Sequence, residues 1–111
     1  MNDKKILSLL GLAMRAGRLV SGQAMVEETV RACAAELVII AGDASDNTKK
    51  TILDKSTTYE TPVYIFSTMD VLGKSIGKEM RACIAVTDAG FAQKIEKLMT
   101  DSGQEVVKWQ N

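Results

Sequence analysis

Histidine is absent from the chain, and with it the usual neutral-pH acid or base and the commonest metal ligand. Cysteine is nearly absent: Cys33 and Cys83 are too few and too far apart for a disulfide framework or a thiolate metal site. Each sits in an apolar stretch, RACAAELVII and RACIAVTD, so both thiols are expected to be buried and reduced. With one proline, Pro62, the sequence shows no proline-rich linker. Aromatic residues make up 5%, too little for a platform on which single-stranded bases stack. Neither sign of charge is in excess, Lys and Arg numbering 14 and Asp and Glu 14, so no global field draws polyanions. No apolar run approaches the roughly 20 residues needed to cross a bilayer. ILSLLGLAM near the N-terminus is short and is followed by Arg15 and Arg18, so no membrane contact and a cytoplasmic location are expected.

What is present is the balance of an ordinary globule, 46% hydrophobic and 25% charged, in a length that suits one domain over residues 1–111. Leu7, Leu10, Ala13 and Met14 recur at helical spacing from about Asp3 to Ala16, and Gly17 supplies a left-handed stop. A short strand is expected at Arg18 to Val20. A second helix then starts from a Ser21 or Gly22 cap, with Val26, Val30 and Cys33 as its apolar stripe. Leu37 to Ala41 is a continuous apolar run bounded by Gly42 and Asp43, typical of a strand buried on both faces. Ser45 or Asp46 caps a third helix with Ile52 and Leu53 inward. The β-branched and aromatic TPVYIFS is a strand. A short helix follows from a Ser67 or Thr68 cap to Gly77, then a strand from about Ala82 to Val86. The last helix has Phe91, Ile95 and Leu98 on one face. The closing QEVVKWQN has no clear period. Such alternation predicts an α/β fold, a three-layer α/β/α sandwich around a central four-stranded mixed sheet.

Ligands of sheets wound this way meet the loops beyond the strand ends and the following helix starts. Three loops qualify. From Lys4 to Val26 there are four cations, Lys4, Lys5, Arg15 and Arg18, and no acid; Ser21, Gly22 and Gln23 open the second helix there. In LGKSIGKEMR, Lys74, Ser75, Lys78 and Arg81 accompany two glycines. GDASDNTKK mixes acids with Asn47, Lys49 and Lys50. A phosphate loop of the GxxxxGK[ST] form is excluded, because GKSIGKE spaces its glycines four apart and has no Ser or Thr after the lysine. Asp43 and Asp88, each following a buried strand, form an enzyme's carboxylate pair only if they converge; aspartate after a strand is also a routine cap. No cofactor and no metal are expected. Cations at phosphate spacing beside glycine-rich helix starts suit the backbone of structured RNA.

The order of motifs resembles the kink-turn-binding superfamily of large-subunit ribosomal proteins, the seven-Ae and thirty-e proteins, in its small bacterial branch. LLGLAMRAGRLVSG, LVIIAGDASDNTKK, PVYIF, LGKSIGK and IAVTDAGFAQKI carry the likeness over roughly residues 4 to 100. The resemblance implies an α/β/α sandwich that binds a kink-turn or related internal loop without catalysis; the expected partner is ribosomal or other structured RNA, with ribosomal proteins as possible further partners. It places the contacts at Ser21, Gly22 and Gln23 and at Lys74, Ser75, Lys78 or Arg81, on the loops before the second helix and before the last strand. Where the tight kink-turn binders carry asparagine, glutamate and lysine, this chain has Ala24, Met25 and Glu28. Arg15, Arg18, Asn47, Lys49 and Lys50 follow the pattern of the bacterial branch and imply an altered or second RNA surface. The competing expectation is a protein–protein interaction module on the same fold, favoured by the zero net charge and by Glu27 and Glu28. Oligomeric state is not encoded in any motif.

Overall fold

The computed structural model describes residues 3–104, so the QEVVKWQN tail beyond Gln104 lies outside the described residues. Among these the order is α1 (Asp3–Arg15), β1 (Leu19–Ser21), α2 (Gln23–Arg31), β2 (Leu37–Ile40), α3 (Asp46–Thr58), β3 (Val63–Ile65), α4 (Met69–Ser75), β4 (Cys83–Val86) and α5 (Ala89–Asp101). The strands form one mixed sheet in the order β1-β4-β2-β3. β4 runs antiparallel to both β1 and β2, and β2 pairs with β3 in parallel.

Side-chain alternation along the strands divides the interior in two. Leu19, Leu37, Ile39, Tyr64, Ile84 and Val86 point to one face, where Ile6 and Leu10 of α1, Leu72 of α4 and Ile95 and Met99 of α5 cover them. Val38, Ile40, Val63, Cys83 and Ala85 point to the other, against Val26 and Val30 of α2 and Ile52 of α3. Every residue of β2 and β4 is buried, which is why those segments read as unbroken apolar runs. The expected three-layer sandwich is the one observed.

Local chemistry sets the element ends. α1 stops in a left-handed turn at Gly17 (φ 72°), where the Arg18 N–H donates to the Ala13 carbonyl and the Gly17 N–H to that of Met14. Because Arg18 completes this cap, β1 begins at Leu19 and extends to Ser21, one residue later than periodicity suggests. Ser45, Thr68 and Asp88 side chains cap α3, α4 and α5, accepting from the N–H groups of Thr48, Val71 and Phe91. α2 alone among these is entered through Gly22 (φ 92°), with no side-chain cap.

One expectation needs correction. Cys83 is buried, but Cys33 is exposed. The helical stripe through Val26 and Val30 does not reach it, because α2 ends at Arg31 and Cys33 itself turns left-handed (φ 58°). The turn delivers the Glu36 backbone N–H to donate to the Val86 carbonyl and so starts β2. Burial pushes the Cys83 thiol up to about 12, with the Glu27 carboxylate adding to the effect.

Candidate nucleic-acid interface

The C-terminal ends of β1, β2 and β3 and the N-terminal end of β4 lie together, as the pairings of Ser21 with Ile84, Ile40 with Cys83 and Ile40 with Ile65 require. The loops into α2, α3 and α4 and the return from α4 to β4 therefore meet at one end of the sandwich. Residues 60 apart in sequence touch there: Arg81 Nε donates to Ser21 Oγ at 3.1 Å. Two further bonds brace Arg81, one from Nη1 to the Met80 carbonyl at 3.0 Å and one from its backbone N–H to the Met69 carbonyl at 3.0 Å. A guanidinium carries five N–H donors, so this one is fixed in place with donors remaining for an anion.

Gln23, the first residue of α2, is also fixed. Its Oε1 accepts from Thr48 Oγ1 and its Nε2 donates to Glu27 Oε2, each at 3.0 Å. Thr48 in turn accepts from Ser45 Oγ at 3.0 Å and donates its backbone N–H to the same oxygen, so the starts of α2 and α3 share one polar network. Neither Thr48 nor Glu27 stands out in the sequence as a site residue; the only trace of Thr48 is its place three residues after a capping serine. Lys49 Nζ is held by the Gly42 carbonyl at 2.8 Å, while Asn47 and Lys50 stand exposed beside it. Met25 and Met80, 48% and 56% exposed, flank the α2 start and Arg81 with apolar surface.

The remaining sequence candidates are not brought to this end. α4 runs away from it for about 10 Å, at a rise of roughly 1.5 Å per residue. Lys74 and Ser75 thus lie against α1, where Arg15 lines a depression with Ser75, Ile76 and Gly77. Lys74 pairs with Asp70 at 3.2 Å, both well exposed, and Ser75 Oγ donates to the Leu72 carbonyl. Lys78 is exposed on the return segment that leads up to Arg81. Arg18 sits at the other end of β1 from Ser21, its carbonyl accepting from the Thr87 N–H. The candidate cations therefore divide between two patches and one outlying residue.

Asp43 and Asp88 do not converge. They follow antiparallel neighbours β2 and β4, and so leave the sheet at opposite ends, more than about 10 Å apart on a rise of roughly 3.3 Å per residue. Asp43 Oδ1 accepts from the Met69 N–H at 2.8 Å and Asp88 Oδ2 from that of Phe91 at 2.9 Å, so both are satisfied as caps. No helix among the described residues is long and apolar enough to cross a membrane.

A sandwich that presents open loops, a helix start and a braced arginine at one end is a small α/β/α binding module. The chain matches the model of the Ribosomal protein L7Ae/L30e/S12e/Gadd45 family over residues 4–96 and belongs to that family. Among its relatives is the "RNA-binding protein YlxQ" of Bacillus subtilis, 44% identical over 99 residues that cover 89% of this chain and 99% of the relative. The protein of the same name in Enterococcus faecium is 41% identical over 99 residues, covering 88% and 94%. A solved structure of a Bacillus halodurans protein of unknown function superposes with a TM-score of 0.83 at 44% identity, over 86% of this chain and 97% of that one. The Giardia lamblia 15.5kD RNA binding protein shares the fold, with a TM-score of 0.70 at 19% identity over 86% and 88%.

Proposed function

We propose that the chain is a non-enzymatic, cytoplasmic RNA-binding protein that recognises structured RNA of the kink-turn kind, as part of or alongside the ribosome. The observation that carries this is the Arg81–Ser21 contact, which fixes a cation over the uncapped start of α2. Arg81 and, outside it, Lys78, Lys49 and Lys50 meet phosphates. Gly22, without a side chain, lets the RNA backbone approach the first N–H groups of α2, where the helix dipole favours negative charge. Ser21, Gln23 and Asn47 offer polar atoms to sugars and base edges. Two YlxQ relatives described as RNA-binding support the reading. Ala24 and Met25 offer no charge, and Glu28 is acidic, so affinity rests on backbone and phosphate contacts and falls steeply with salt.

The test is a gel shift of a kink-turn RNA, an unbent duplex and ribosomal RNA fragments at rising salt, with co-sedimentation on ribosomal subunits. Binding at low salt is expected, with preference for the bent RNA. Arg81→Glu should weaken it and lower the salt slope by about one for each phosphate no longer neutralised. Absence of RNA binding at low salt, or binding indifferent to Arg81→Glu, overturns the proposal and leaves a protein-interaction module as the better reading.

A further inference from the structure

On the outer face of the helical layer, away from Arg81 and Ser21, α1 crosses α4 so closely that Gly11 admits no side chain; a Cβ there would stand 2.8 Å from the Ser75 carbonyl oxygen. The close crossing leaves two adjoining depressions of about 430 and 370 Å³ that share Leu7, Ser8 and Ser75. Their walls are apolar where solvent would ordinarily demand polarity: Leu12 is 48% and Val71 38% exposed, two of the few large apolar side chains left uncovered among the described residues. Their rims are cationic. Arg15 stands at one end and Lys74 at the side, and a third depression that also borders Ser8 adds Lys4 and Lys5. Among the described residues no acidic side chain lines any of the three, in a chain whose charges otherwise balance. Asp70 holds Lys74 in an exposed pair that a partner's carboxylate can replace at little cost.

We infer that the α1/α4 groove docks an acidic amphipathic segment of a partner protein, its apolar residues seated along Leu7, Leu12 and Val71 and its carboxylates on Arg15, Lys74 and the Lys4–Lys5 pair. Three features favour a protein over RNA here. Exposed leucine and valine supply the apolar seat that a helix-in-groove partner uses. Among the described residues no aromatic ring lines the groove for a base to stack on. The groove also has a fixed floor, since both helices are locked at the Gly11–Ser75 crossing. The inference stands apart from the RNA reading, whose carrying contact, Arg81 on Ser21, is at the other end of the sandwich and which borders the groove only at Lys78, beside Gly77; together they make the chain an adaptor between an RNA and an acidic protein segment.

The test is selection of a displayed random-peptide library on the full chain, with the double variant Leu12→Glu, Arg15→Glu as counter-target. Both substituted positions are exposed, and circular dichroism should show the variant folded. Enriched sequences are expected to be acidic, with apolar residues at i, i+3 or i+4 and i+7. A synthetic peptide of that sequence should shift the amide resonances of Ser8, Gly11, Ser75 and Gly77 and bind the variant at least tenfold more weakly. A kink-turn RNA titrated into the same sample reports separately on Ser21 and Arg81. Lack of enrichment, enrichment without acidic bias, or shifts confined to other surfaces overturns the inference. So does displacement of the same four resonances by RNA or by raising the concentration of the chain alone, which would make RNA or a second copy the occupant.

Discussion

Replacing Gly73 by alanine sets two effects of known sign against each other. Alanine in a helix interior is favoured over glycine by about 1 kcal/mol, so propensity alone predicts a more stable protein. The structure predicts the reverse. Gly73 is buried in α4 under the segment that returns to β4. A Cβ there would lie 2.5 Å from the carbonyl carbon of Glu79, closer still to its oxygen, and 3.2 Å from the Met80 Cα. Relaxed carbon contacts are about 3.5–4.0 Å, so the return segment has to retreat by roughly 1 Å or more. The obstacle is backbone and cannot swing aside as a side chain would. Overpacking of this kind costs about 1–3 kcal/mol, and the segment also carries the Arg81 bonds to Met69 and Ser21, worth about 1 kcal/mol each. The sum exceeds the propensity gain by about 2–4 kcal/mol, which for a domain near 100 residues lowers Tm by at least roughly 8 °C. Thermal and urea unfolding measure the loss. The same variant, held well below its Tm, should bind RNA more weakly, because Arg81 no longer rests on Ser21. A variant as stable as the parent, or more so, would refute the close packing of α4 on residues 79 and 80.

Other expectations follow from the same structure. With a thiol reagent at neutral pH the folded chain should react at exposed Cys33 alone, and Cys83 should join only on unfolding. Burial raises Cys83 from its ordinary 9.0 to about 12, and burial with Glu96 nearby raises Tyr64 as well. The folded state thus keeps protons that the unfolded chain releases. The stability from Cys83 is whole below pH 9 and declines as pH rises from 9 towards 12, by at most about 1.4 kcal/mol per unit. Urea midpoints across that range check the slope, and Cys83→Ala should flatten it. Asp43→Ala and Asp88→Ala should each cost about 1 kcal/mol as the caps disappear. Their double variant should be additive within about 0.5 kcal/mol; strong coupling would mean that the two carboxylates share a site after all. Gln23→Ala should cost about 1 kcal/mol through Thr48 and Glu27, and reduce RNA affinity more than Arg18→Ala, whose residue stands at the far end of β1.

The sandwich was legible because the sequence states it twice, in unbroken apolar runs at Leu37 to Ala41 and Ile84 to Val86 and in helical spacing between them. The caps were readable from local chemistry to within one residue, Ser45 or Asp46 and Ser67 or Thr68, with Asp88 a routine cap, and so were the stops at Gly17 and Gly77; the structure selects Ser45 and Thr68. Cys33 was not, since no glycine marks the stop after Arg31 and RACAAE consists of residues a helix tolerates well. There the requirement of β2 to start against Val86 overrides propensity. The site was half legible. Ser21, Gly22 and Gln23 announce themselves as a helix start, but that Arg81 reaches them depends on β4 lying beside β1, a matter of sheet order. Lys74 and Ser75 look adjacent to Arg81 in sequence, and Arg18 to Ser21. A helix in one case and a strand in the other carry them apart.

The order β1-β4-β2-β3 also governs when this protein comes into being. The strand that joins the sheet's first element to the rest is the last to be synthesised. Until Cys83–Val86 leaves the ribosome, β1 has no neighbour to hydrogen-bond, Ser21 faces no Ile84, and Arg81 has no fixed position above the start of α2. A product cut short before residue 83 contains every candidate RNA-facing residue in its sequence but lacks the strand that brings Arg81 onto Ser21. On the proposed reading, RNA recognition is expected only of a chain long enough to include β4.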